Sequence, residues 1–254
     1  MVDEDIARAC HDDRVGVLPL PLPPPVRRPV LLAQAWADVT FLHWPVDPAA
    51  VAHLFPPGTR PDVLDGRTYV GLLPFQVRHT ELVAALRLPY LGSFAETNVR
   101  LYSVDGAGRH GVLFLSLETE RIVVVPVTRG GLGVPYSWAK MSVTRSGGTI
   151  RYRSVRRWPG PDLRSDVTVE AGAQVEPTPL EVWLTARWGA HTRKARRTWW
   201  VPIAHPMWRL RTAEITDQRD ELVAGAGVEC AGPPLRALYS PGVPVRFGRP
   251  SLLR

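Results

Sequence analysis

A chain of 254 residues with 45% hydrophobic and 22% charged side chains has ordinary globular composition and enough apolar material for a sizeable core. The net charge of +7 raises nucleic acid as a partner, but only Lys140 and Lys194 among the 31 basic residues are lysine, and the arginines are spread widely. No run approaches the ~18 apolar residues of a membrane span, residues 1–14 are too acidic for a secretory signal, and Cys10 and Cys230 make no disulfide framework, so a soluble protein of a reducing cytoplasm is expected.

Residues 1–29 end in "VLPLPLPPPVRRP", whose prolines lack amide donors, and are expected to form a disordered or extended leader. "VLLAQAWADVTFLHWPV" (30–46) predicts a long strand. In "DPAAVAHLFPPG", Asp47 as N-cap and Pro48 in the first turn predict a short helix stopped by Pro56–Pro57–Gly58. Asp65–Gly66 between apolar runs predicts a hairpin, and "DGAGR" predicts a second one between 96–104 and 110–118. Two strands about Gly147–Gly148, a strand at 166–172 and a helix at 178–188 headed by Thr178–Pro179 follow. Residues 197–215 read as strand with two proline interruptions, "DELVAGAG" as a short glycine-terminated helix, and 234–248 as a last strand. Strands dominate and βαβ alternation is missing, so the expected class is α+β with a large, barrel-like antiparallel sheet, and residues 30–254 form one domain.

No glycine-rich phosphate loop, CxxC, HExxH or G-x-S-x-G motif is present, so no cofactor or metal is expected.

Seven phrases carry a resemblance: "FLHWPVDP" (41–48), "LFPPG" (54–58), "DGRTYVGLLPF" (65–75), "FAETNVRLY" (94–102), "GVPYSWAKM" (133–141), "VPIAHPMWRL" (201–210) and "LYSPGVPV" (238–245). Their order and spacing resemble the YqjF-like family, grouped with the acetoacetate decarboxylase-like superfamily. The resemblance implies a cone-like β-barrel with a few short helices and an interior small-molecule pocket. In acetoacetate decarboxylase a lysine in a "GYPKK"-type segment forms a Schiff base, its amine kept neutral by neighbouring charge and apolar walls. The similar segment here is "GVPYSWAKM", which puts Tyr136 and Ser137 where the two lysines would stand.

Lys140 lies three to four residues later, a shift of about 13 Å along a strand for four residues. It is a displaced nucleophile, a pocket cation that orients an acid, or an exposed strand lysine; the residues leave all three open. "FAETNVRLY" resembles a decarboxylase strand whose glutamate faces the active site, and Glu96 matches it. Glu96, Asn98 and Arg100 share one strand face, which makes them ligand-facing or an internal polar network. Arg129 matches an arginine of a "GRE" phrase, but Gly130 replaces the glutamate after it. His43 and His205 are candidate acid–base groups or satisfied core histidines. Trp44, Tyr136, Trp138 and Trp208 are candidates for the cavity wall, with plain core as the alternative.

These readings imply a small carboxylate or carbonyl ligand, held by Arg100, Arg129 or Lys140, with Glu96 moving a proton in decarboxylase-, dehydratase- or aldolase-like lyase chemistry without the usual Schiff base. A non-catalytic ligand-binding or sensing barrel is the alternative. Nucleic-acid binding through "RYRSVRRW" and "HTRKARRTWW" ranks below both. No membrane partner is expected, and assembly into a homo-oligomer stays open.

Overall fold

The computed structural model describes residues 30–82, 86–87 and 92–253, so the leader falls outside the described residues. Fourteen strands form one sheet, almost all of it antiparallel. In chain order, β1 (Leu32–Val46) is followed by α1 (Pro48–Val51), a 3-10 turn (Ala52–Leu54), β2 (Thr59–Pro61), β3 (Thr68–Leu82) and β4 (Leu86–Arg87). Next come β5 (Ser93–Asp105), β6 (His110–Thr119), α2 (Val124–Leu132), β7 (Tyr136–Ser146), β8 (Thr149–Trp158), β9 (Arg164–Gln174) and α3 (Pro179–Thr185). The chain ends with β10 (Gly189–Lys194), β11 (Arg197–Ala204), β12 (Arg211–Asp220), α4 (Leu222–Gly225), β13 (Leu238–Phe247) and β14 (Ser251–Leu252).

The sheet closes on itself along two circuits that share one wall. The wall is β13–β1–β3–β5–β6. At β6 the pairing forks: Val112 and Leu113 run parallel to Ala190 and His191 of β10, whereas Leu117–Thr119 run parallel to Tyr136–Trp138 of β7. At β13 the two arms return, β12 against Leu238 and Tyr239, and β11 against Arg246 and Phe247. The result is ring-like rather than a strict barrel. Shared strands are covered on both faces, which is why β5 is buried from Phe94 to Asp105, its polar Glu96, Asn98 and Arg100 included. Phe41, Leu73, Phe75 and Tyr102 pack into one lobe, while their neighbours Leu42, Leu72 and Leu101 pack into the other.

Two irregularities re-aim the strand faces. Asp38 is left-handed (φ 49°) beside a register shift in the β1–β3 pairing, so Trp36 ahead of it and Phe41 after it face the same lobe. In β6 one extra residue, Leu115, sits where Val99 pairs Ser116 but Arg100 pairs Phe114. The bulge lets Phe114 and Leu117 line the same cavity despite their odd spacing.

The capped helices form as their residues dictate. Asp47 accepts from the Ala49 amide at 2.9 Å, and Thr178 and Glu181 make a reciprocal capping box at the start of α3. The 96–118 and 135–158 hairpins are present as read. At Asp65–Gly66 both residues have positive φ as a tight turn requires, but the flanking pairing is only the Leu64–Arg67 bridge, because β2 pairs with β5 instead. The stretch 197–215 divides into β11 and β12 with Pro206 in the gap, and β10, β14 and α2 are additional to the sequence reading.

Candidate functional site

Where the start of β1, the start of β5, the end of β6, α2, β10 and β11 converge, a cavity of about 270 Å³ opens. Its wall is mostly Leu, Val, Ile and Phe, and the described residues that line it include no lysine, arginine or histidine. Glu96 and Asn98 project into it from β5, on the shared face that the period-two reading of "FAETNVRLY" predicts. Tyr136, the first residue of β7, reaches across and donates its hydroxyl to Glu96 Oε2 at 3.0 Å. Glu96 is 5% exposed, and among the described residues no cation pairs with it. Burial in this apolar chamber disfavours the carboxylate and pushes the Glu96 pKa up to about 8, against a smaller downward pull from the Tyr136 hydroxyl. At neutral pH the group is therefore a carboxylic acid within one unit of its midpoint, the condition for efficient proton transfer in either direction. Burial and the nearby Glu96 in turn raise the Tyr136 phenol well above its ordinary value, which keeps it a hydrogen-bond donor.

Four further polar atoms on the cavity wall are buried with no protein partner: Asn98 Oδ1, Trp36 Nε1, Thr80 Oγ1 and Thr192 Oγ1. A buried polar atom left unpaired costs about 1–3 kcal/mol, so these four are polar groups of the wall whose hydrogen-bonding capacity the fold leaves unused.

One wall of the chamber is α2, through Val124, Val127, Thr128 and Leu132, with Val123 just ahead of it. Its sequence, "VVPVTRGGL", is rich in β-branched residues and glycine and has little intrinsic helicity. The helix is held at its C-terminal end. Gly133 is left-handed (φ 68°), and a Cβ there would collide with the Arg193 carbonyl of β10. Lys194 donates to the Gly131 carbonyl at 2.7 Å, and Arg129 Nε to the Tyr136 carbonyl at 2.5 Å. Val127 is nevertheless 69% exposed, so α2 presents apolar side chains both to the chamber and to solvent.

Of the other residues singled out in the sequence, most lie elsewhere. Lys140 is exposed on β7, four residues beyond Tyr136, and does not line the cavity. Arg129 is exposed and its guanidinium holds the Tyr136 backbone. Arg100 shares the face of Glu96, but its Nη2 donates to Tyr102 Oη (3.2 Å) and the Leu184 carbonyl (3.1 Å). Around it lies a separate buried network. Tyr102 donates to the Leu184 carbonyl at 2.9 Å, so its 2.7 Å contact with His43 is donated by His43 Nε2. Burial, then the charges of Arg100 and Arg187, hold His43 well below its ordinary pKa, as the neutral imidazole. Arg187 pairs with Asp62, which also bonds His110 Nδ1 at 2.8 Å.

His205 sits between Trp188 and Trp208 with Nδ1 on the Pro206 carbonyl, and burial lowers its pKa to about 4. Trp208 backs the chamber by stacking on Trp36 at 6.2 Å and donates to the Thr185 carbonyl. Trp44 packs in the second lobe, and Trp138 is half-buried on β7 outside the cavity lining. The four arginines of "RYRSVRRW" are all in ion pairs: Arg151 and Arg153 with Asp166, Arg156 with Glu118, Arg157 with Asp162. Among the described residues no group of three or more His, Cys, Asp or Glu is arranged to hold a metal ion. No helix of the described residues is long and apolar enough to cross a membrane.

The profile of the DUF2071 family, described as an uncharacterized conserved protein, matches residues 33–244. The chain belongs to that family. It is 29% identical over 189 residues to the uncharacterized protein YqjF of Bacillus subtilis (strain 168), a match covering 72% of this chain and 76% of YqjF. Among solved structures it is similar to acetoacetate decarboxylase from Legionella pneumophila (TM-score 0.64, 10% identity, 92% of each chain). It is likewise similar to the enduracididine biosynthesis enzyme MppR complexed with pyruvate (TM-score 0.61, 15% identity, 90% of this chain and 92% of that one). At these identities the likeness is one of fold: the two-circuit sheet is the acetoacetate decarboxylase-like fold. Sequence reasoning did not find Trp36, Thr80 or Thr192 as cavity residues. Thr192 belongs to "HTRK", which drew notice for its charge rather than for its strand face.

Proposed function

We propose that the chamber at Glu96 is the active site of a small-molecule enzyme that moves a proton at a carbonyl compound, without covalent catalysis by lysine. The observation that carries this reading is Glu96 itself, a buried carboxyl with a pKa of about 8 that has, among the described residues, a single hydrogen-bonding partner and no cation beside it. Structural carboxylates in cores are normally paired or multiply hydrogen-bonded, and a lone one facing a cavity is the arrangement of a general acid or base. With a carbonyl ligand in the chamber, the carboxylate form of Glu96 takes a hydrogen from the carbon beside the carbonyl, and the electron pair moves onto the carbonyl oxygen as an enolate. The acid form returns the proton to the same carbon. Tyr136 holds the carboxyl and steadies its charged form through the 3.0 Å hydrogen bond. Enolisation of this kind is shared by decarboxylation, dehydration and aldol-type reactions. The fold likeness to acetoacetate decarboxylase and MppR supports the class of reaction by analogy.

The Schiff-base route is not part of the proposal, because Lys140 is exposed and the chamber lining described contains no other amine. The test is exchange of α-hydrogens of small ketones and aldehydes in D2O, followed by proton NMR. Exchange is expected in the wild type, rising through about pH 8 as Glu96 ionises, and falling roughly 100-fold or more in Glu96→Gln. An unchanged rate in Glu96→Gln would refute the assignment. Borohydride trapping is expected to yield no lysine adduct.

A further inference from the structure

The chamber does not end at its apolar wall. A second recess, of about 330 Å³, adjoins it and shares Leu31, Leu132, Thr192, Val201 and Pro250 with its lining. The side chains that the recess adds are of a different kind: Lys194, Arg249 and Trp199. Lys194 lies two residues beyond Thr192 on β10, about 7 Å along the strand and on the same face. Its ammonium spends one donor on the Gly131 carbonyl and keeps two. Arg249 is exposed at the rim and has no ion pair or hydrogen bond among the described residues. Trp199 Nε1 is buried with no partner, as is Thr192 Oγ1. No aspartate or glutamate is among the described residues that line the recess. Its polar side chains are thus donors, two of them cationic, beside a chamber whose described lining carries no cation.

We propose that the ligand is bipartite: an apolar carbonyl compound whose body fills the chamber and whose anionic group, a carboxylate or a phosphate, lies in the recess against Lys194 and Arg249. The inference rests on the chamber being the ligand site. Three observations support it. The cations first expected to grip an acid are committed elsewhere, Arg100 to Tyr102 and Leu184, and Arg129 to Tyr136. A carboxylate placed beside Glu96 would meet no compensating charge in a desolvated site, which is strongly unfavourable. Two cationic side chains lining one recess, with no carboxylate among its described lining residues, are an anion-recognition surface by their donor inventory. Charge selection and proton transfer are therefore separated along the cavity, the first at β10 and β14's approach, the second at β5 and β7.

The experiment is isothermal titration of the full-length protein with a matched set of probes: 7-oxooctanoate, 6-oxoheptyl phosphate and the uncharged methyl 7-oxooctanoate. One or both charged probes are expected to bind at least about tenfold more tightly than the ester, the usual effect of a charge-assisted hydrogen bond. Arg249→Gln should remove a large part of that advantage with binding of the ester unchanged, and Lys194→Met/Arg249→Gln should bring the charged probes nearly level with the ester. Arg249→Gln guards against loss of the Lys194 anchor on α2, since Arg249 is exposed and makes no hydrogen bond or ion pair among the described residues. Equal binding of ester and charged probes, or an advantage that survives the double substitution, would overturn the bipartite ligand while leaving the Glu96 chamber as a site. Failure of all three probes to bind would overturn both. Anion preference that persists in Glu96→Gln without α-hydrogen exchange in the wild type would leave the ligand class standing and remove the proton-transfer reading.

Discussion

Two glutamates on neighbouring strands, both buried, have been given opposite surroundings. Glu118 on β6 is fully buried, and Arg156 of β8 grips it through Nε (3.1 and 3.2 Å) and Nη2, with Ser116 Oγ adding a 2.6 Å hydrogen bond. Glu96 on β5 points into the other lobe and, among the described residues, has Tyr136 alone. The first is a saturated ion pair that links β6 to β8, and nothing about it is left for a ligand. The second carries an unmet demand for charge or for a partner. Burial by itself does not separate structural from functional carboxylates here; the count of partners does.

The largest effect expected from this contrast is at the saturated pair. Arg156→Met leaves Glu118 buried without its cation and should destabilise the fold by about 3–5 kcal/mol, read by urea unfolding near neutral pH. Wild-type stability in Arg156→Met would mean that the pair is not structural. At Glu96 the sign reverses. Its folded pKa of about 8 lies above the ordinary 4.5, so its contribution to stability is fully present below pH 4.5 and is lost as pH rises through 8. Glu96→Gln has no carboxyl to ionise, and should be more stable than the wild type at pH 9 by on the order of 5 kcal/mol, with the difference shrinking toward pH 5. Thermal unfolding of both proteins across that range checks it; a gap that does not depend on pH contradicts the raised pKa.

Smaller effects are expected at the chamber's helical wall and on the exposed face of β7. Gly133→Ala places a Cβ at a left-handed residue against the Arg193 carbonyl and should cost about 1–2 kcal/mol, with amide hydrogen exchange accelerated in α2 before the rest of the molecule. Uniform acceleration would show that α2 is not a separable wall. Lys140→Arg, on the exposed face of β7, should change neither stability nor α-hydrogen exchange measurably. Loss of exchange in that variant would return the lysine to the chemistry.

The fold was largely legible because its strands alternate and its turns carry Asp-Gly, Gly-Gly and a Thr178 capping box. The Glu96–Asn98 face followed from period two on β5. What escaped was whatever period two could not register. The bulge at Asp38 brings Trp36 onto the same lobe as Phe41, and the extra Leu115 brings Leu117 into the cavity with Phe114. Helix α2 was not legible because valines and glycines argue against a helix, and one of the contacts that hold it, from Lys194, comes from β10, some sixty residues on. Arg100 looked like an anion clamp by its spacing from Glu96. Its acceptor, the Leu184 carbonyl at the end of α3, is a contact 84 residues away in sequence. The family phrases brought out the glutamate, while the recess at Lys194 and Arg249 needed the arrangement in space.

The most direct measurement is the ionisation of Glu96 itself, followed by carbon NMR of side-chain carboxyls in the wild type with Glu96→Gln to assign the signal. The account predicts a midpoint near pH 8, moved higher in Tyr136→Phe because the hydrogen bond that favours the charged form is gone. A midpoint near 4.5, the ordinary carboxyl value, would mean that the chamber does not hold a proton for exchange at neutral pH, and the proposed chemistry would lose its central group.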